Sequence, residues 1–194
     1  MTEPLDWSDG VPWSERFEDI YYSRSDGLAE SRYVFLQGNR VSERWQQKSI
    51  FRIGETGFGT GLNFLATWQL WRETRTQDSW LYFESIEGFP LDREQLKLIH
   101  QEWKELKALS KMLLAAKHLS SKLLPDWQEW PEERITLRLH HAEVLPALRV
   151  MQSNQVDAWF LDGFSPKKNP EMWTRDVLRE VARVTCPEGT RATY

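Results

Sequence analysis

The sequence is poor in cysteine and in long hydrophobic runs. Its single cysteine among 194 residues, Cys186, cannot form an intramolecular disulfide, which is typical of a reducing compartment. No apolar run approaches the roughly 20 residues of a membrane span. The N-terminus, MTEPLDWSDG, is acidic and lacks the apolar core of a signal peptide. We therefore expect a cytoplasmic protein without a membrane partner.

An excess of basic residues is also missing. The formal net charge is −4, so the chain as a whole does not attract nucleic acid, although a local patch can suffice. Hydrophobic residues at 40% and charged residues at 28% are typical of a globular domain. Tryptophan is abundant, with 11 residues. Trp68 and Trp71 lie three apart on a predicted helix, and this spacing favours a packing role over ligand stacking.

Strand-like and helix-like segments alternate from residue 50 onward. The predicted strands are Ile50–Glu55, Trp80–Glu87, Arg134–Glu143, Val156–Asp162 and a fifth within TRATY at 190–194. This alternation predicts an α/β fold with a doubly wound, parallel sheet. We expect one domain over 1–194, in which 1–49 form an N-terminal extension and 50–194 form the core. Within the extension, YVFL at 33–36 predicts a strand and the following GN a hairpin turn.

Helix signals are clearest in two places. Asp92 is placed to cap a helix over 91–106, where apolar residues recur on one face. A second helix is predicted to start at Pro170 and to run toward Cys186, with PEG at 187–189 as its stop.

The stretch GETGFGTGLNFL, residues 54–65, joins the first core strand to a helix. It is not a dinucleotide-binding G-x-G-x-x-G, because position 62 is leucine, and it lacks the lysine of a phosphate-binding loop. Glu55 would also repel a phosphate. An acidic residue followed by G-x-G-x-G instead favours a cofactor that is itself cationic, and the remaining alternative is a helix-capping turn with incidental glycines.

Further acids follow the next strands. Glu87 ends the second strand, where a carboxylate can accept hydrogen bonds from ribose hydroxyls; Glu84 is the alternative but lies earlier in the strand. Glu143 follows the third strand. His140 and His141 precede it, but adjacent strand residues point to opposite faces, so no metal site is expected.

Asp162 ends the fourth strand in WFLDGFSPKKNPEMW, at the edge where ligands bind to such sheets. Gly163 allows the chain to turn, and Phe164 and Pro166 are candidates for walling a planar substrate. The alternative is an ordinary Asp-Gly turn, but its position after a fully apolar strand favours a site.

Four stretches together resemble a known family: YYSRSDGLAESRYVFLQGN, GETGFGTGLNFLATWQ, SIEGFPL and VDAWFLDGFSPKKNPEMWT. They are similar to the methyltransferase part of the MnmC family of bifunctional tRNA 5-methylaminomethyl-2-thiouridine biosynthesis proteins. The resemblance implies a class I S-adenosylmethionine-dependent, Rossmann-like methyltransferase that N-methylates 5-aminomethyl-2-thiouridine at the tRNA wobble position. It also implies partnership with a flavin (FAD)-dependent oxidase part, which has no counterpart in these residues.

The same resemblance assigns residues to roles. In such an enzyme we assign Asp162 to the catalytic position, Phe164 to the wall against the planar substrate, and Lys168 and Asn169 to contact with the RNA backbone. The positions implied for the cofactor are Glu55, Gly57, Phe58, Gly59, Thr60, Gly61, Asn63, Glu87, Glu143 and Asp162. The resemblance implies that Glu143 contacts the adenine of the cofactor, and Ala142-Glu143 stands where the family usually has Gly-Asp.

The family sheet has seven strands, and this chain ends in what would be the fifth. We therefore expect a sheet that is incomplete at its C-terminus and has an exposed edge strand. Two other functions stay open. One is a methyltransferase for another amine or a small molecule, and the other is a non-catalytic remnant that binds the cofactor.

Overall fold

The computed structural model describes residues 5–8, 10–23, 26–116 and 126–194. An antiparallel three-stranded sheet comes first, formed by β1 (Leu5–Ser8), β2 (Val11–Ser14) and β3 (Asp19–Ile20). Helix α1 (Gly27–Ser31), a π-helical segment (Arg32–Gln37) and α2 (Val41–Trp45) follow. The core contains β4 (Ile50–Thr56), α3 (Leu62–Thr74), β5 (Trp80–Ile86), α4 (Arg93–Ile99), α5 (Lys107–Leu114), β6 (Asp126–Trp130), β7 (Ile135–His140), α6 (Val144–Val150), β8 (Val156–Leu161), α7 (Arg175–Val184) and β9 (Thr185–Ala192).

The central sheet has six strands in the order β6-β7-β5-β4-β8-β9. Every neighbouring pair is parallel except β6 with β7. The α/β prediction of a doubly wound, mostly parallel sheet is confirmed. Because β4 pairs with β5 on one side and β8 on the other, the strand order reverses at β4. Ligands bind such sheets at this switch point, beyond the carboxyl ends of the strands.

Aromatic residues fill the core on the α3 side of the sheet. Trp45, Trp68 and Trp71 are fully buried, and the rings of Trp45 and Trp71 meet edge to face with centroids 5.2 Å apart. Packing is therefore the role of Trp68 and Trp71, as their spacing predicts. On the other side, α6 and α7 bury a smaller cluster that includes Trp159 and Val181. Both faces of β4 and β8 are thus covered, which explains why β8, VDAWFL, is a near-continuous apolar run.

Two N-terminal predictions are wrong. Residues 33–36 are helical, and the chain continues through the π-helical segment into α2 instead of forming a hairpin at Gly38. Phe35, Val41 and Trp45 are fully buried on one side of this helical path, and so short an apolar window does not distinguish a strand from a helix. A hairpin does exist in the extension, but it is formed by β1 and β2.

Other boundaries also differ. Asp92 caps α4 in a capping box with Gln95, as predicted, but the helix ends at Ile99 and a separate helix, α5, follows. Pro170 starts only a 3-10 turn, because Thr174 caps α7 by accepting a hydrogen bond from the Val177 N–H. The PEG sequence lies inside β9, which begins at Thr185. Strand β6 is unpredicted. Within the described residues, no helix is long and apolar enough to cross a membrane.

Candidate active site

A cavity of about 490 Å³ opens at the carboxyl ends of the central strands. Its floor is formed by the glycine loop between β4 and α3, and its sides by the residues that follow β5, β7 and β8. The N-terminal extension closes the remaining side with Phe17, Tyr21 and Tyr22. Its volume lies within the roughly 300–1,000 Å³ of small-molecule sites.

The glycine loop depends on left-handed backbone. Gly57, Gly59 and Gly61 have φ angles of +84°, +50° and +76°, which residues with a side chain rarely adopt. A Cβ on Gly57 would lie only 3.3 Å from the Cα of Gly163. Gly57 and Gly59 line the cavity together with Phe58, Thr60 and Asn63, whereas Gly61 lies outside its lining and is the N-cap of α3. The glycines therefore bring bare backbone up to the cavity.

Glu55 lies behind the cavity wall. Its side chain is buried and is not part of the lining, so the predicted direct contact with a cofactor is not what the geometry shows. Oε1 accepts a hydrogen bond from Asn63 Nδ2 at 3.0 Å, and Oε2 accepts one from Ser85 Oγ at 2.6 Å. Burial raises the pKa of Glu55 to about 8, against the opposing effect of the Ser85 hydrogen bond.

Asp162 lines the cavity and is coupled to Glu55. Its Oδ2 accepts a hydrogen bond from the same Asn63 Nδ2 at 2.6 Å, and its Oδ1 accepts one from the Gly163 N–H at 2.7 Å. Burial raises the pKa of Asp162 to about 6, while these two hydrogen bonds lower it. The bonds described for both carboxyls come from neutral groups. The pair can therefore be stabilised further by a cationic ligand.

Glu87 occupies the position predicted for a ribose contact. It lines the cavity, and its carboxylate accepts hydrogen bonds from the backbone N–H groups of Gly59 and Phe89, each at 2.8 Å. Glu84 does not line the cavity and instead contacts His140 at 3.0 Å and Arg138 at 3.6 Å. The geometry thus favours Glu87 over Glu84 for ligand contact.

Glu143 also lines the cavity, at the N-terminus of α6, where its side chain makes no capping hydrogen bond. Ala142 and Pro146 lie beside it in the lining and provide an apolar surface. His140 is engaged by Glu84. No group of three or more His, Cys, Asp or Glu side chains that could hold a metal ion occurs in the part of the chain that the structure describes.

The predicted substrate residues are divided. Phe164 and Asn169 line the cavity, but Lys168 lies outside it and pairs with Glu18 at 3.4 Å on the surface. Pro166 is also outside the lining. Lys168 thus lies on the surface outside the cavity, and its contact with the RNA backbone stays a prediction.

Aromatic residues of the N-terminal extension were missed at the sequence level. Phe17 stacks on Phe164 with ring centroids 4.6 Å apart, and Tyr21 meets Phe164 edge to face at 5.3 Å. Phe89 contacts Phe17 at 5.6 Å. The available signal was a group of aromatics, Phe17, Tyr21 and Tyr22, in an otherwise polar segment.

The charges around the cavity are unequal. Among the residues that the structure describes, four acids line it, Glu87, Glu143, Asp162 and Glu171, whereas Arg149 is the one lysine or arginine in the lining. Together with the aromatic side, this arrangement suits a ligand that combines positive charge with planar rings.

Comparison with known proteins agrees with this geometry. A family model described as S-adenosyl-L-methionine-dependent methyltransferase matches residues 104–194. The bifunctional protein MnmC of Methylobacillus flagellatus, named for tRNA 5-methylaminomethyl-2-thiouridine biosynthesis, is 44% identical over 98% of this chain and 29% of its own length. The protein of the same name from Nitrosospira multiformis is 43% identical over 98% of the chain and 31% of its own length.

The crystal structure of MNMC2 from Aquifex aeolicus superimposes with a TM-score of 0.71 at 24% identity, covering 99% of this chain and 59% of that one. The chain spans about three tenths of the length of the two bifunctional MnmC proteins. The chain carries the class I methyltransferase fold, and its residues 104–194 match the family of S-adenosyl-L-methionine-dependent methyltransferases.

Proposed function

We propose that this chain transfers a methyl group from S-adenosyl-L-methionine to the aminomethyl group of 5-aminomethyl-2-thiouridine at the tRNA wobble position. The product would be 5-methylaminomethyl-2-thiouridine. The observation that carries the proposal is the acidic cavity at the switch point of the sheet, where the Asp162 carboxyl is exposed to the ligand space and is hydrogen bonded by neutral donors. The names of the relatives supply the substrate class.

The residues present fit S-adenosyl-L-methionine. The backbone of Gly57 and Gly59 can approach its amino-acid portion closely, because neither residue has a side chain. Glu87, already oriented by two backbone N–H groups, has remaining lone pairs for the ribose hydroxyls. The apolar surface beside Glu143 is suited to a purine ring. When bound, the cofactor supplies a methyl group on a positively charged sulfur.

Asp162 has two tasks in this scheme. The acceptor must be a neutral amine, and an alkyl amine of pKa near ~10 is only roughly 0.1% neutral at pH 7, a cost of about 4 kcal/mol. Asp162 holds the amine by accepting an N–H hydrogen bond and, with a pKa raised to about 6, can also accept its proton. Phe164 and Phe17 provide ring surfaces against which a pyrimidine can be placed.

The same proposal implies a partner, a location and a second enzyme activity. A tRNA-modifying role implies tRNA as the partner and the cytoplasm as the location. The relatives are named bifunctional, so we propose that a flavin-dependent oxidase acts on the same uridine, outside the 194 residues of this chain. The acidic lining would also accept other amines, which makes a small-molecule methyltransferase the second candidate.

Methyl transfer from radiolabelled cofactor tests the proposal directly. We expect tRNA that carries 5-aminomethyl-2-thiouridine to be methylated, fully modified tRNA to be inert, and Asp162→Asn to lower the rate at least roughly 100-fold. Calorimetry should show binding of S-adenosyl-L-homocysteine and none of NAD. Labelling of small amines but not of tRNA would support the second candidate. Binding without any transfer would leave the chain a non-catalytic cofactor-binding protein.

A further inference from the structure

The side chain of Asn63 joins the N-terminal extension to two carboxyls, that of Glu55 behind the cavity wall and that of Asp162 in the lining. Its Nδ2 donates one hydrogen bond to Glu55 Oε1 at 3.0 Å and another to Asp162 Oδ2 at 2.6 Å. Its Oδ1 accepts a hydrogen bond from Ser31 Oγ at 2.5 Å. Ser31 is the last residue of α1, is buried, and does not line the cavity.

The Ser31 bond determines which way the Asn63 amide faces. An amide can rotate by half a turn and exchange its oxygen with its nitrogen. In the observed orientation both N–H groups point at carboxyls, so the amide stabilises the ionised form of Asp162. In the rotated orientation the oxygen would face the carboxyls and would favour their protonated forms. A hydroxyl that donates to Oδ1 stabilises the first orientation.

We propose that Ser31 is a positioning residue for methyl transfer, which acts through Asn63 to orient the Asp162 carboxyl and to keep it ionised. This gives α1, and with it the N-terminal extension, a part in the chemistry that the motifs of the core do not indicate. It also gives Asn63 a role other than direct cofactor binding. The inference rests on the proposed function only for the use that is made of Asp162.

Other charged groups act on Asp162 and set the background for its titration. They are three acids, Glu30 on α1, Glu55 on β4 and Glu87 after β5, and a phenol, Tyr194 after β9, whose pKa is itself raised by burial and by Asp162. Arg149 and Glu171 also line the cavity. The hydrogen bonds described for the Asp162 carboxyl come from Asn63 and the Gly163 N–H and not from these groups.

The test is the carboxyl carbon-13 titration of Asp162 in the ligand-free protein, assigned with Asp162→Asn. We expect Ser31→Ala to raise the pKa of Asp162 by at least about half a unit, a factor of roughly 3 in proton affinity. Ser31→Thr keeps a hydroxyl and should restore the original titration. Ser79→Ala is the matched control, because Ser79 is equally buried and donates to the Thr76 carbonyl away from the cavity.

The rate of methyl transfer provides the second measurement. Ser31→Ala should be slower than the parent mainly below pH 7 and should approach it at pH 8.5, where Asp162 is ionised in both proteins. An equal loss at every pH would indicate a structural role only, and an unchanged titration of Asp162 would overturn the proposal. If the parent protein does not methylate tRNA, the proposed function fails, but the titration still decides the inference. If Ser31→Ala does not fold, Ser31→Cys, which donates weakly, takes its place with an intermediate pKa expected.

Discussion

Replacement of Glu87 by alanine should weaken cofactor binding far more than replacement of Glu84. The Glu87 carboxylate lines the cavity and is held by the N–H groups of Gly59 and Phe89, so it is aimed before a ligand arrives. A hydrogen bond to an ionised group contributes about 1.5–3 kcal/mol. Hydrogen bonds from two ribose hydroxyls would contribute more binding free energy than one. In the alanine variant, water that enters the space left by the side chain replaces part of this contribution. We therefore expect a loss of about 2 kcal/mol, or roughly 30-fold in Kd.

Calorimetry with S-adenosyl-L-homocysteine measures this loss without any substrate. Glu84→Ala is the matched control, because Glu84 lies three residues earlier in the same segment and contacts His140 and Arg138 instead of the cavity. It should change Kd by less than about 3-fold, although it removes an ion pair and lowers stability. The reasoning is refuted if Glu84→Ala weakens binding more than Glu87→Ala, or if both leave Kd unchanged.

Three further substitutions test the site. Burial raises the pKa of Glu55 to about 8, so its protonated form stabilises the ligand-free fold fully below about pH 4.5 and progressively less up to pH 8. Glu55→Gln should therefore raise the free energy of unfolding, measured in urea, by at least about 1 kcal/mol at pH 8.5 and change it little at pH 5. An equal effect at both pH values would contradict burial as the cause of the pKa shift. Gly57→Ala should cost about 1–2 kcal/mol of stability and also reduce cofactor affinity. Gly10→Ala, at φ +82° with open space around it, should cost stability alone. Equal cofactor affinity in the two variants would argue against a close approach of the cofactor to the Gly57 backbone. His100 Nε2 bonds the Thr60 carbonyl at 2.8 Å, so His100→Ala should weaken cofactor binding through the loop by about 1–3 kcal/mol, and unchanged calorimetry would show that the loop holds its shape without that bond.

The motifs of the core could be predicted because parallel strands bring their carboxyl ends to one edge. Glu87, Glu143 and Asp162 each follow a strand, so their order in the sequence was enough to place them around one cavity. The glycine loop was predictable for a similar reason, since positive φ leaves a recognisable run of glycines. These patterns do not show whether a side chain reaches the cavity surface. Glu55 lies near the same strand ends but is buried behind the cavity wall, because β4 is covered on both faces.

The misplaced elements have local causes. Residues 33–36 form a window of only four residues, which is too short to distinguish a strand from a helix. Their helical conformation goes with a tertiary contact, the packing of Phe35 on Phe160, that the local sequence does not contain. Strand β6 has no clear alternation in DWQEW, and its pairing with β7 supplies the hydrogen bonds that make it a strand. The role of Ser31 could not be predicted for a different reason, because its hydrogen bond to Asn63 depends on how α1 packs against α3.

The N-terminal extension belongs to the site and does not merely precede it. Phe17 stacks on Phe164, Asp19 accepts a hydrogen bond from the Ser165 N–H at 3.2 Å, and Ser31 donates to Asn63. Each contact joins a residue before β4 to a core residue that lines the cavity or lies next to its lining. The acidic part of the cavity therefore comes from the core strands, and much of its aromatic part comes from the extension. We therefore propose one domain over 1–194, in which the core strands provide carboxylates for a cation and the extension adds ring surfaces to that of Phe164 in the core.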